Sequence, residues 1–335
     1  MKILFCFGTR PEWLKIKPII NLLDSNDYKL YFTGQHTDLL KDINFDFSST
    51  INDNKKNRLD DVLTSSILNF PTENFDFVLV QGDTASAFGC AVAAYNRKIK
   101  IIHLEAGLRS YDLENPYPEE SYRQMISRMS DINFCPTKLS YENLKNEKVF
   151  GNCFVVGNTV LDNIVNYKSN ITYENKVLVT LHRRENHDLI EEWFSQLNIL
   201  AKMYKDLKFV LPIHPNPNVQ KFKSMLVNEI EVIDPLPHTE LINLLSECKF
   251  VISDSGGIQE ESSFLNKKVI VCRTTTERPE AIETGHLLIC ESPKKLQELV
   301  YKVNKDYYID NSCPYGDGKS SEKIIKILKN GYSYT

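Results

Sequence analysis

Short apolar runs of strand character alternate with amphipathic runs of helical character along almost the whole chain, and no other feature limits the fold as much. The alternation predicts strands over 2–7, 28–33, 77–81, 99–104, 132–135 and 149–156, with helices among them over 18–24, 87–96 and 121–129. A polar, aperiodic segment follows at 166–175, and strands resume at 176–180, 208–212, 231–233, 250–253 and 269–272. Strands that are apolar throughout and separated by helices build parallel sheets covered on both faces. The expectation is an α/β protein of two Rossmann-like, doubly wound domains, residues 1–165 and 166–318, with a cleft between them. Strand-end loops should line that cleft, because ligands of open α/β sheets bind beyond the carboxyl ends of the strands. The Asn- and Lys-rich stretch over 48–57 is expected to be a mobile loop.

A chain of 335 residues has room for two such cores. With a formal net charge of -4, and with the basic cluster at 54–58 flanked by Asp53, Asp60 and Asp61, nucleic acid is not an expected partner. No apolar run reaches membrane-spanning length, and the first strand starts at once and runs into Gly8-Thr9-Arg10, so the expectation is a cytoplasmic protein without a signal peptide. The eight cysteines contain no C-x-x-C pair and predict neither a zinc site nor a disulfide frame. No G-x-G-x-x-G follows a predicted strand, so no nicotinamide cofactor is expected.

The stretch from Val251 to Glu261 reads as a buried strand, a small-residue turn Ser253-Asp254-Ser255-Gly256-Gly257, and the start of a helix. Such a turn offers free backbone N–H groups and the positive end of the helix dipole to an anion, and paired glycines let a phosphate approach the backbone closely. A carboxylate one turn into the helix, Glu261, is placed to accept from sugar hydroxyls. An ordinary turn capped by Ser or Asp has the same pattern. After the first strand, Arg10 and Lys15 are cations at a strand-to-helix junction, suited to a diphosphate or simply to a solvated surface.

Three acids lie at or near strand ends: Asp83 in Gly82-Asp83-Thr84, Glu105 in Glu105-Ala106-Gly107-Leu108-Arg109, and Glu119 before a helix that contains Arg123. Carboxyls that share one rim of a cleft are candidates for proton transfer; turn-forming and capping roles are the alternative. In the second half, His182 ends a strand and is followed by Arg183 and Arg184, an anion-contacting pattern, while His214 opens a proline-set loop over 214–218 and Arg278 lies in the loop after the fifth strand of that half.

Taken in order, Gly8-Thr9-Arg10-Pro11-Glu12, Gln35-His36, Gly82-Asp83-Thr84, the loop at 105–109, Pro118-Glu119-Glu120, Gly157-Asn158-Thr159, the His182-Arg183-Arg184-Glu185-Asn186 loop, 214–218, 253–261, 276–280 and 314–318 resemble the non-hydrolysing UDP-N-acetylglucosamine 2-epimerases over nearly the whole chain. The resemblance implies the GT-B fold, a C-terminal helix over 319–335 crossing back to the first domain, a UDP-sugar substrate, no cofactor and a homodimer. It also implies roles. Arg10, Lys15 and His182 would contact the diphosphate, Ser255, Gly256 and Gly257 would hold it, and Glu261 would bind the ribose. His214 and Arg278 would also touch the substrate. Asp83, Glu105, Glu119 and Arg123 would surround the sugar and, with Lys15 and His182, act in catalysis. The chain departs from the family's pattern at Thr37, Leu181 and Trp13 and in the short stretch over 46–69, which bears on activation by a second UDP-GlcNAc and on the choice of N-acetylated sugar. A hydrolysing 2-epimerase, an epimerase of another UDP-N-acetylated sugar and a GT-B glycosyltransferase are the alternatives.

Overall fold

The computed structural model describes residues 1–35, 43–51 and 57–331, with Arg184 described by its backbone alone. Residues 52–56 of the expected loop and the positions His36 and Thr37 lie outside the described residues, while at the start of that stretch Ser48 ends a short strand and Ser49 is buried. The chain divides into two compact units, one of Met1–Asn163 with the chain from Gly316 onward, the other of Ile164–Tyr315.

The first unit is built on β1 (Ile3–Phe7), β2 (Tyr28–Phe32), β3 (Phe47–Ser48), β4 (Phe77–Gln81), β5 (Lys100–Leu104), β6 (Ile132–Cys135) and β7 (Asn152–Val155). They form one parallel sheet in the order β3-β2-β1-β4-β5-β6-β7. The order reverses between β1 and β4, so the loops after these two neighbouring strands flank a topological switch point, where open sheets bind ligands. The second unit holds β8 (Lys176–Thr180), β9 (Lys208–Pro212), β10 (Ile230–Ile233), β11 (Phe250–Ser253), β12 (Val269–Val271) and β13 (Leu287–Ile289). They too are parallel, in the order β10-β9-β8-β11-β12-β13. Its switch point lies between β8 and β11, which brings the His182 loop beside the glycine turn.

Strands β1 and β4 are buried along their whole length, as continuous apolar runs require in a sheet covered on both faces. The helix expected over 18–24 instead runs Arg10–Ile20. Thr9 caps it and Pro11 stands in its first turn, while Pro18, which reads as a helix start, lies inside its last turns. A proline there leaves the carbonyl four residues earlier without its N–H donor. Asn163 supplies one, donating from Nδ2 to the Leu14 carbonyl at 2.7 Å. Trp13 on the same helix packs on Phe7, ring centroids 5.2 Å apart, so its bulk belongs to the core of the first unit. Helix Ser320–Lys329 buries Ile324, Ile327 and Leu328 in that core, and Asp162 accepts from its first N–H groups, Ser320 at 3.1 Å and Ser321 at 2.7 Å. In the second unit Trp193, Phe194 and Leu197 of helix Ile190–Met203 fill the core with the apolar faces of β8, β9 and β11, and Leu181 joins them.

Two fully buried histidines predict an acid limit to stability. His103 donates from Nε2 to the Gly82 carbonyl at 2.9 Å, and His286 meets the Thr284 hydroxyl at 2.8 Å. Burial pushes both down to about 4 from the ordinary 6.5. Between these values the unfolded chain binds more protons than the native one, so stability is complete above pH 6.5, falls as the pH drops toward 4 and levels off below. For His103 the loss is on the order of 3 kcal/mol. Tm measured across this window should slope downward with acid, and His103→Gln should flatten part of the slope; identical slopes would remove His103 from the account.

Candidate active site

In the first unit the loop after β1 is tied to the loop after β4 by Glu12, which is buried. It accepts from the Gly8 N–H at 3.0 Å and the Thr84 hydroxyl at 2.8 Å, and burial raises its pKa. Thr84 in turn caps helix Ala85–Asn96. This brace fixes Asp83 at the mouth of the switch point. Asp83 is 24% exposed at its side chain and pairs with Nη2 of Arg123, whose guanidinium also lies 3.3 Å from the buried carboxylate of Glu120. Glu120 accepts from the N–H groups of Ser110 and Tyr111 and thereby holds the strand-end loop onto helix Glu119–Met129. Glu119 is the first residue of that helix, one turn before Arg123, and is half-buried.

Glu105 follows β5 with φ at +65°, a left-handed backbone conformation seldom taken by a side-chain-bearing residue. Its carboxylate receives the Lys15 ammonium at 2.6 Å on each oxygen, the Gln81 amide, and the Asn158 amide at 3.0 Å. Lys15 and Glu105 are 11% and 7% exposed, so this is a buried ion pair. The structure thus brings Lys15 to Glu105 and Arg123 to Asp83, the two acids standing just past the ends of the adjacent strands β5 and β4. Arg10 is the first residue of its helix and is half-buried.

In the second unit helix Gly256–Phe264 starts directly at the paired glycines. Its N-cap, Ser255, makes no side-chain capping bond, so the first-turn N–H groups are not closed off by that hydroxyl. Asp254 does not cap the helix either. Fully buried, its Oδ2 reaches across to the neighbouring loop and accepts from the N–H groups of His182 and Arg183, each at 2.9 Å, and from the Asn186 amide at 3.0 Å. The rings of His182 and His214 stack, with centroids 4.9 Å apart and planes 10° from parallel. Burial lowers the pKa of each, in His182 against the opposing pull of Asp254.

Arg278 is buried between Glu260, at 2.7 Å, and Glu277, while Arg273 reaches Glu185 at 3.2 Å and Glu277 at 3.1 Å. Glu261 is buried and accepts from Nε2 of His238 at 2.6 Å. Sequence reasoning passed over Glu12, Gln81, Glu120, Asn158, Asp254 and His238. For Asp254 a signal exists in the sequence, an acid inside the glycine turn, but the sequence offers it only a capping role as an alternative and no part in the neighbouring loop.

Two doubly wound parallel sheets, each presenting polar loops at its switch point, define the class: a GT-B-type α/β protein. A family model described as UDP-N-acetylglucosamine 2-epimerase matches residues 23–329. The UDP-N-acetylglucosamine 2-epimerase of Campylobacter jejuni is 40% identical, with 98% of each chain covered. Among solved structures, the Neisseria meningitidis UDP-GlcNAc 2-epimerase bound to UDP-GlcNAc superposes with a TM-score of 0.87 at 34% identity, covering 98% of this chain and 100% of the other. The Methanocaldococcus jannaschii UDP-GlcNAc 2-epimerase, in complex with UDP-GlcNAc and UDP, gives a TM-score of 0.83 at 29% identity, covering 99% and 100%. The chain belongs to the UDP-N-acetylglucosamine 2-epimerase family. Its alignment with the Campylobacter protein spans 384 positions, more than the 335 residues present here, so that relative carries segments this chain lacks.

Proposed function

We propose that the protein interconverts UDP-N-acetylglucosamine and UDP-N-acetylmannosamine without hydrolysing them. No carbonyl lies beside C2 to acidify its hydrogen. The route is therefore elimination: a base removes the C2 proton while the C1–O bond to the diphosphate breaks, leaving 2-acetamidoglucal and UDP. UDP then re-adds at C1 and a proton is delivered to the other face of C2. This chemistry needs a stabilised diphosphate and acid/base groups near C2. The helix start at Gly256 and Gly257, with His182, suits the first need. What carries the reading for the second is a pair of carboxylate–cation contacts at the ends of adjacent strands, Asp83 with Arg123 and Glu105 with Lys15, with Glu119 a turn from Arg123. Arg10, Ser255, Glu261, His214 and Arg278 complete the substrate-binding set in this reading.

The test is a proton NMR time course with UDP-GlcNAc in deuterated water, with no acceptor and no nicotinamide. UDP-ManNAc carrying deuterium at C2 is the outcome that supports the proposal. Free ManNAc with UDP would make the protein a hydrolysing enzyme, and an unchanged spectrum would overturn the choice of substrate. The proposal extends to a cytoplasmic homodimer supplying precursors of surface polysaccharides; a monomer mass in sedimentation equilibrium would reject the dimer.

A further inference from the structure

The role given to His182 leaves open what sets its protonation state, and the buried acid beside it supplies an answer. Strands β8 and β11 run parallel with Thr180 opposite Ser253, so the residues just past their ends, His182 and Asp254, are held side by side. Asp254 uses one oxygen fully: three N–H donors converge on Oδ2. The other, Oδ1, is buried, has no hydrogen-bond partner among the described residues, and stands 3.4 Å from Nδ1 of His182. A buried carboxylate oxygen left without a donor is costly, and an imidazole N–H is the donor within reach.

The rest of the loop fixes this geometry. Asn186 bonds Asp254 and the Cys272 carbonyl, and its own oxygen accepts from Nε1 of buried Trp193 at 3.2 Å. His187 bonds the His182 carbonyl at 3.1 Å, and the His214 ring covers one face of the His182 ring. His214 is itself oriented by the Asn216 N–H, which donates to its Nδ1 at 3.1 Å.

Resting on the role proposed for His182 in leaving-group contact, we propose that Asp254 is a positioning residue that keeps the His182 proton on Nδ1, so that Nε2 is the nitrogen presented to the diphosphate. In the free protein Nε2 is then the unprotonated nitrogen. As the anionic diphosphate approaches, Nε2 takes a proton from solvent water, and the imidazolium donates to the phosphates from Nε2 and to Asp254 from Nδ1, lying between two negative partners. The charged and titratable groups acting on His182 are Asp254 and Glu185, which favour its protonated form, and Arg183, His187 and His214, which oppose it together with burial.

The test combines tautomer and kinetics. Long-range nitrogen–proton NMR on 15N-histidine-labelled protein at about pH 8, well above the ordinary histidine range, reads the tautomer directly, with the His182 signals assigned by their loss in His182→Gln. The wild type should show Nδ1–H. In Asp254→Asn an amide N–H can face Nδ1, so the tautomer should switch to Nε2–H and His182 should titrate at lower pH. Its kcat should fall about a hundredfold or more while UDP Kd stays within about threefold. In a His182→Gln background, Asp254→Asn should add little further loss, whereas a purely structural acid would lower activity in both backgrounds. Nε2–H in the wild type, full turnover in a folded Asp254→Asn, or additive losses would each overturn the proposal. If Asp254→Asn does not fold, the wild-type tautomer decides alone. The spectra need no turnover, so an inactive enzyme would refute the epimerase reading and leave this one standing or falling separately.

Discussion

Asp83→Asn should fold like its parent, bind UDP with nearly unchanged affinity, and turn over about a hundredfold or more slowly. The fold should survive because Asp83 is the most open member of its cluster, 24% exposed, and because Arg123 keeps the buried Glu120 carboxylate when Asp83 loses its charge. Turnover should not survive, since an amide can neither take nor return the C2 proton. Glu105 makes a poorer test. It is bound by Lys15, Gln81 and Asn158, and removing its charge leaves the Lys15 ammonium without that counter-ion at a buried position, at a cost of about 3–5 kcal/mol. A slow Glu105→Gln enzyme would thus report a damaged scaffold as readily as lost chemistry. NMR turnover, UDP calorimetry and Tm together separate these cases for Asp83, and wild-type turnover in Asp83→Asn would remove it from the acid/base set.

The alternation of apolar and amphipathic runs was enough to read two doubly wound parallel sheets, because a strand buried on both faces has no polar positions to disguise it. What escaped was mostly short or interrupted, though the eleven-residue helix Arg58–Leu68 was missed as well. Among the strands, β3, of two residues, and β13, of three, escaped, although β12, also of three, was legible within the apolar run over 269–272. Pro18 moved the first helix, since its local rule, that proline opens helices, is overridden by a single amide from Asn163, far away in sequence. At the site, the residues legible in the sequence were charged groups beside glycines at strand ends. The ones missed act through partners on other strands: Glu12 braces two loops, Glu120 grips a backbone turn, and Asp254 organises the loop of its neighbour strand. No local pattern encodes such work, because its meaning depends on which strands become neighbours at the switch points.

The two glycines of the helix start are predicted to differ sharply, although the sequence makes them look equivalent. A methyl built on Gly256 meets the protein itself: Arg278 Nη1 at 2.9 Å and Arg183 Nη2 at 3.4 Å. Arg278 is held by Glu260 and Glu277, so Gly256→Ala must disturb a buried ion-pair network, and weaker nucleotide binding in that variant would have two explanations. A methyl on Gly257 meets nothing within 4 Å. In the free protein it is therefore tolerated, and replacing a helical glycine by alanine should raise stability by about 0.4–1 kcal/mol. If a phosphate approaches that backbone, the same methyl occupies the approach, and UDP affinity should fall about tenfold or more. A variant that is more stable yet binds UDP more weakly is difficult to obtain by any route except direct obstruction. Thermal melts and UDP titrations of Gly257→Ala decide the matter: undiminished affinity would mean that the phosphate does not sit over the turn, and the anion seat would have to be sought among Arg183, His182 and Arg273 instead.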